Sequence, residues 1–192
     1  MVSAEDQLFE FVESTLAGTE MDAHALDHTR RVHVLAMELG RRLKADLRVL
    51  SAAAILHDVG RFREAETGVS HSKISGEMSR PILEDLGYSQ EKVDRIVDAI
   101  RTHRFSEGLE PNSLEGRILS DADKLDALGA IGVYRSIVHT FAGGKGAEGF
   151  LEHAYSKLLK LKDLMHTDEA RTIALARHET LERFVRQLRS EL

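Results

Sequence analysis

An all-α fold is what this chain predicts. Apolar residues recur at helical spacing along almost its whole length. Only two prolines interrupt 192 residues, and no segment alternates apolar and polar positions well enough to make a strand.

The helices follow one another in order. Glu5 to Leu16 carries Leu8, Phe9, Val12 and Leu16 on one face. Asp22 to Leu43 carries Leu26, Val32, Leu35, Ala36 and Leu39, with Asp22 placed as an N-cap. Asp46 to Val59 carries Leu47, Leu50, Ala54 and Ile55 and stops near Gly60. Ser72 to Leu86 is closed by Gly87. Ser89 opens the next helix, which presents Val93, Ile96, Val97 and Ile100. Asn112 or Ser113 opens a helix running through Leu128. A glycine-rich break, Gly143 to Gly146, separates it from two long helices, roughly Glu148 to Met165 and Asp168 to Leu192. Thr167 is placed to cap the last one. With no internal repeat and no low-complexity linker, the chain reads as one domain of residues 1–192.

Bulk composition narrows the chemistry. The apolar fraction of 42% and charged fraction of 30% are those of a soluble globular protein. A net charge of -6 argues against a dedicated nucleic-acid binder, although an acidic protein can still hold a basic pocket. Met1 to Glu10 lacks a basic start followed by an apolar run, so no signal peptide is expected. No apolar stretch approaches the ~20 residues that span a bilayer. A soluble cytoplasmic protein, with no membrane partner, is the expectation. Cysteine is absent, so any metal must be held by His and carboxylate groups.

Such groups occur in three places. The run Ala52-Ala53-Ala54-Ile55-Leu56 leads straight into His57-Asp58, so two polar residues end an otherwise buried helix. One helix earlier stands His28, with His24 four residues before it on the same face as a competitor. Farther on lie Asp121, Asp123 and Asp126. At ~100° per residue, Asp121 and Asp126 fall within the apolar arc of Ile118, Ala122 and Leu125, and Asp123 falls at its edge. Two imidazoles and two carboxylates are a set that holds a divalent metal with positions open for water and substrate.

His28 with Arg31-Val32, HDVG at His57 to Gly60, and DADKLDALG at Asp121 to Gly129 together resemble the HD-domain phosphohydrolase superfamily. The resemblance spans most of the chain. It extends to the segments around His103 to Ser106, Gly129 to Val133 and Lys157 to Leu161, which are similar to small single-domain bacterial members. It implies a helical bundle of the HD-domain type, with a metal-site core at about 20–130 and C-terminal helices at 148–192. It implies His28, His57, Asp58 and Asp123 as metal ligands. It further implies a metal-dependent phosphohydrolase that cleaves a nucleotide by a metal-bound hydroxide, with triphosphate pyrophosphohydrolase or nucleotidase activity foremost. Phosphodiester cleavage and a non-catalytic nucleotide-sensing module are the alternatives. With no sulfur ligand, Mn²⁺ is favoured, and Mg²⁺, Fe²⁺, Co²⁺ and Ni²⁺ are admissible.

The substrate would be a small phosphorylated molecule, so nearby cations matter. Lys124 resembles a lysine that contacts substrate phosphates in some relatives; its plain alternative is an ion pair with Asp121. Arg61, four residues after His57, could contact a phosphate or cap the helix C-terminus. His71 and His103 flank helix ends. The resemblance implies a second metal at such positions in dinuclear members and substrate contacts in mononuclear ones. Arg31 could orient a ligand or the substrate. Some relatives place two acids just after the His-Asp pair; here the stretch is Val59-Gly60-Arg61-Phe62-Arg63, so Arg61 or His71 would assist instead. The Gly143 to Gly146 stretch is no P-loop, since no Ser or Thr follows Lys145 and no strand precedes it. A monomer or a homodimer is expected.

Overall fold

The computed structural model describes residues 2–18 and 22–192, with all their side chains except those of 22–24 and 106. The chain is all-α, and no strand occurs among the described residues. None of the described helices is long and apolar enough to cross a membrane. Two compact units divide the chain, residues 1–120 and 121–192.

The first unit contains α1 (Ala4–Leu16), α2 (Asp22–Leu43), α3 (Leu47–Leu56), α4 (Glu64–Thr67), α5 (His71–Asp85), α6 (Gln90–Thr102) and the first half of α7 (Leu114–Asp126). Single-turn 3₁₀ segments lie at Arg61–Arg63 and Phe105–Glu107. Helix α3 decides the arrangement. Every residue from Val49 to Leu56 is buried, so this helix has no wet face and must be covered on all sides. Helices α1, α2 and α6 cover it, with Leu8, Val12, Val32, Ala36, Leu39, Ile96 and Ile100 as core. Its start is fixed by Asp46, whose side chain accepts from the N–H groups of Arg48 and Val49. The same carboxylate faces Lys92 at 3.4 Å and Arg95 at 3.3 Å, and Glu115 accepts the Asp46 N–H at 2.8 Å. One acid thus ties the starts of α3, α6 and α7 together.

The second unit contains the end of α7, then α8 (Gly129–Ala142), α9 (Gly146–Ser156), a 3₁₀ segment at Leu158–Leu164, and α10 (Asp168–Glu191). Helix α10 packs on α8 and on the 3₁₀ segment. Thr167 caps α10 by accepting from Ala170 N–H. Asp121, fully buried, holds that cap in place: its carboxylate accepts from His166 N–H at 2.8 Å, Thr167 N–H at 2.9 Å and the Thr167 hydroxyl at 2.8 Å.

Three sequence expectations need correction. The helix through Leu128 ends at Asp126, and Gly129, at φ +71°, starts α8, a helix not anticipated from the sequence. The helix expected over Glu148 to Met165 breaks at Lys157 (φ -130°, ψ -63°) and continues as 3₁₀. Leu158 and Leu161 explain the change, because residues three apart stack on one face of a 3₁₀ helix and both are buried. Helix α3 ends at Leu56 rather than Val59, with His57 as its C-cap. The capping role of Asp22 lies outside the described side chains.

Candidate metal centre

Helix α3 is buried throughout, so its end delivers His57 into the interior. His57 is fully buried and its Nδ1–H donates to the Ala54 carbonyl at 2.8 Å. That carbonyl is one of the four that a helix C-terminus leaves without an intrahelical donor. The same device recurs at the end of α6, where His103 Nδ1–H donates to the Ile100 carbonyl at 2.6 Å. A carbonyl only accepts, so each bond fixes the proton on Nδ1 and leaves Nε2 as a lone-pair donor. Two helix C-termini, the negative ends of their dipoles, thereby meet one set of imidazoles.

Asp58 stands between those imidazoles. It is 6% exposed, and its two oxygens face different partners. Oδ2 lies 3.7 Å from His28 Nε2 and 3.8 Å from His57 Nε2. Oδ1 lies 3.1 Å from His71 Nε2 and 3.7 Å from His103 Nε2. His28, His71 and His103 are all buried. The donors form two triads that share Asp58, namely His28, His57 and Asp58, and Asp58, His71 and His103, each with its ligand atoms within 4.8 Å of one another.

This geometry fits a cation. Donors about 2.1 Å from one ion stand about 3–4 Å apart, which is the spacing seen here. His28 Nε2 and His57 Nε2 are 3.3 Å apart, and the Ala54 bond makes the latter a lone pair. Asp58 Oδ1 and His71 Nε2 have no hydrogen-bond partner among the described residues, since their 3.1 Å approach lacks the alignment of a bond. Buried polar atoms left so are costly unless something else ligates them. Burial pushes the Asp58 carboxyl up, but Arg61, His57 and His71 outweigh it and hold Asp58 well below the usual carboxylate range. Burial pulls His71 down, and Asp58 and Glu64 reverse that, so it is raised.

Gly60 sets the turn after Asp58. A Cβ there would come within 2.6 Å of Ile74 Cγ2 and 2.8 Å of the Ser75 backbone nitrogen, and Gly60 N–H already donates to Ser75 Oγ at 2.9 Å. Gly60→Ala should therefore push the turn off α5. A loss of about 1–3 kcal/mol in thermal or urea unfolding is expected, together with weaker metal uptake in equilibrium dialysis.

Other residues singled out in the sequence have plain partners. Arg61 Nη1 donates to Asp58 Oδ2 at 2.9 Å, and its side chain is 45% exposed. Arg31 is half-buried on α2, three residues after His28. In the second unit, Lys124 is buried with its ammonium 3.8 Å from Asp121 Oδ1. Asp126 accepts from Arg135 Nη1 at 2.6 Å. The carboxylates of Asp121 and Asp126 are thus engaged in holding the fold, and Asp123 is half-buried. The His24 side chain lies outside those described.

Sequence reasoning missed Glu64. Its carboxylate accepts from His71 Nδ1–H at 2.8 Å and from Arg104. Burial opposes ionisation of Glu64, yet His71 and Arg104 lower its pKa. Nothing local marks it, because Arg63-Glu64-Ala65-Glu66 has the composition of a solvated loop.

The HD domain family model matches residues 25–128. The chain belongs to the HD-domain family. The matched span includes His28, His57, Asp58, His71, His103 and Asp123. Among HD-domain relatives, Bacillus subtilis YpgQ is 36% identical over 97% of this chain and 93% of its own length. Its crystal structure in complex with ADP superposes with a TM-score of 0.80, covering 98% of this chain and 95% of that one at 32% identity. An HD-superfamily hydrolase from Bacillus thuringiensis gives a TM-score of 0.76 at 31% identity, over 97% and 95% of the two chains. Ribonuclease Y of Treponema pallidum is 29% identical over 57% of this chain, a stretch that makes up 20% of that protein.

Proposed function

We propose that this protein is a metal-dependent phosphohydrolase acting on a nucleotide. The observation that carries the reading is the pair of triads meeting at Asp58. Nucleotide as substrate draws support from the YpgQ structure with ADP. Four imidazoles and a carboxylate with no sulfur suit Mn²⁺, Fe²⁺, Co²⁺ or Ni²⁺.

The ligands proposed for one ion are His28, His57, Asp58 and Asp123. The resemblance of the Asp121 to Gly129 stretch carries the choice of Asp123; Asp121 accepts from Thr167 and Asp126 from Arg135. Asp58, His71 and His103 offer a second set. When bound, a divalent cation acidifies a water towards neutral pH and neutralises charge gathering on a phosphoryl oxygen. The residues of the chain do the rest. Asp58 stays ionised and shares its charge between the two sets. Ala54 and Ile100 hold the rings of His57 and His103 so that Nε2 faces inward. Arg61, anchored on Asp58 and half out in solvent, brings a guanidinium to the rim where a phosphate would approach.

The test is a panel of nucleoside tri-, di- and monophosphates and a phosphodiester, given to metal-stripped protein with Mn²⁺, Mg²⁺, Co²⁺ or Ni²⁺ restored. Metal-dependent release of phosphate or pyrophosphate from one nucleotide class is the expected result. Metal bound at full stoichiometry without turnover of any nucleotide would instead identify a sensing module. Turnover confined to the phosphodiester would move the assignment to that bond.

A further inference from the structure

The four imidazoles of the centre are not held alike. His57 and His103 are oriented by main-chain carbonyls, each three residues back in the same helix turn. His71 is the first residue of α5, so it has no preceding turn to bond, and a side chain does the work. Its Nδ1 meets Glu64 Oε2 at 2.8 Å. Arg104 Nη1 also comes within 3.4 Å of that nitrogen, but a guanidinium only donates, and its short bond goes to Glu64. The shorter contact, to a carboxylate that only accepts, keeps a proton on Nδ1, so Nε2, which faces Asp58 Oδ1, is the nitrogen that yields its proton to a cation.

Glu64 is itself fixed from the other side. Arg104, the residue after His103, bonds Glu64 and lies 3.6 Å from Glu107. Glu107 in turn accepts from the hydroxyls of Ser70 and Ser72, the two neighbours of His71. The result is a closed ring of contacts around the second triad: His71 to Glu64, Glu64 to Arg104, Arg104 to Glu107, and Glu107 back to the residues flanking His71. The His28 and His57 side is held by bonds of its own.

We propose that Glu64, clamped by Arg104, is the positioning residue that builds the Asp58–His71–His103 half of the centre, by fixing the His71 tautomer and ring so that Nε2 is offered to a second divalent cation. This rests on the metal-dependent reading above. A carboxylate that takes the far N–H of a ligand histidine also makes the ring a stronger donor, and loss of such a partner typically weakens metal affinity by about 10–100-fold.

The experiment is calorimetric titration of metal-stripped protein with Mn²⁺, alongside ¹⁵N spectra of the imidazoles, which report the tautomer without metal or turnover. Wild type should take up two ions in separable steps and keep the His71 Nδ1 proton both before and after loading. Glu64→Ala should keep one step unchanged, weaken the other by about 10–100-fold, and no longer hold the His71 proton on Nδ1. Glu64→Gln should recover most of the lost affinity, because its amide oxygen still accepts the Nδ1–H. Far-UV dichroism checks that each variant is folded; Arg104→Ala, which unclamps Glu64 without removing it, should weaken the same step. If Glu64→Ala keeps both steps and the tautomer while Asp58→Ala abolishes uptake, the role of Glu64 is overturned and the metal-dependent reading stands. A Glu64→Gln variant as defective as Glu64→Ala overturns the hydrogen-bond account. A wild-type chain taking up a single ion also overturns the proposal. One taking up none overturns the metal-dependent reading along with it.

Discussion

Asp58→Ala will lose both metal uptake and turnover. Asp58 is the one carboxylate shared by the two triads, and its oxygens face all four imidazoles at 3.1–3.8 Å. Without it, neither half of the centre keeps an anionic ligand among the residues of the first unit that form the triads. A catalytic ion is worth several kcal/mol in the transition state. A loss of about 4 kcal/mol corresponds to about a thousandfold in rate. Metal content after dialysis and nucleotide turnover should fall together, while far-UV dichroism stays helical. A variant that keeps full metal content and full activity would remove the centre from consideration.

Asp121→Ala will act through stability instead. Its carboxylate accepts three bonds from His166 and Thr167, and it is fully buried with the Lys124 ammonium 3.8 Å away. Charged buried acceptors of this kind cost about 3 kcal/mol when removed, because the donors they served stay in place. In a chain of this size that is about 6–12 °C in melting temperature. Asp121→Asn should fall between, since its amide keeps one acceptor oxygen but sets an N–H₂ group against N–H donors. Urea unfolding reads both. A stable Asp121→Ala that has lost metal would mark Asp121 as a ligand rather than a tie.

The contrast between these two acids shows how far the sequence can be read. Helical periodicity put Asp121 on the apolar side of its helix, and it is buried there, but burial alone does not separate a ligand from a structural tie. The partner that separates them, Thr167, is forty-six residues away in sequence. His57 and Asp58 were legible because a run of small and aliphatic residues has nowhere to go but inside, and it carries its terminal residues with it. Ser89 as a helix start and Thr167 as a cap were legible because their hydroxyls act within three residues. Helix α8 was not, because Gly129 and Gly132 give its first turn little helical propensity. Neither was the 3₁₀ segment, where the choice between two helical pitches is made by packing of Leu158 and Leu161. Glu64 was beyond reach for a further reason. Its partner His71 lies seven residues on, across a turn, and a glutamate among arginines has every appearance of a solvated surface residue until the turn is closed.

The histidine bonds to helix-end carbonyls have a consequence for how such a centre can diverge. His57 and His103 are keyed to the main chain, and no substitution of a neighbouring side chain deletes a carbonyl. Those two ring orientations, one in each triad, are inherited with the helices themselves. The His71 side depends on one carboxylate that a single codon change can remove, lengthen or neutralise. Sequence drift can therefore retune one side of the centre while the other stays as the fold dictates, and descendants of one scaffold can come to differ in metal number without any change in helix arrangement.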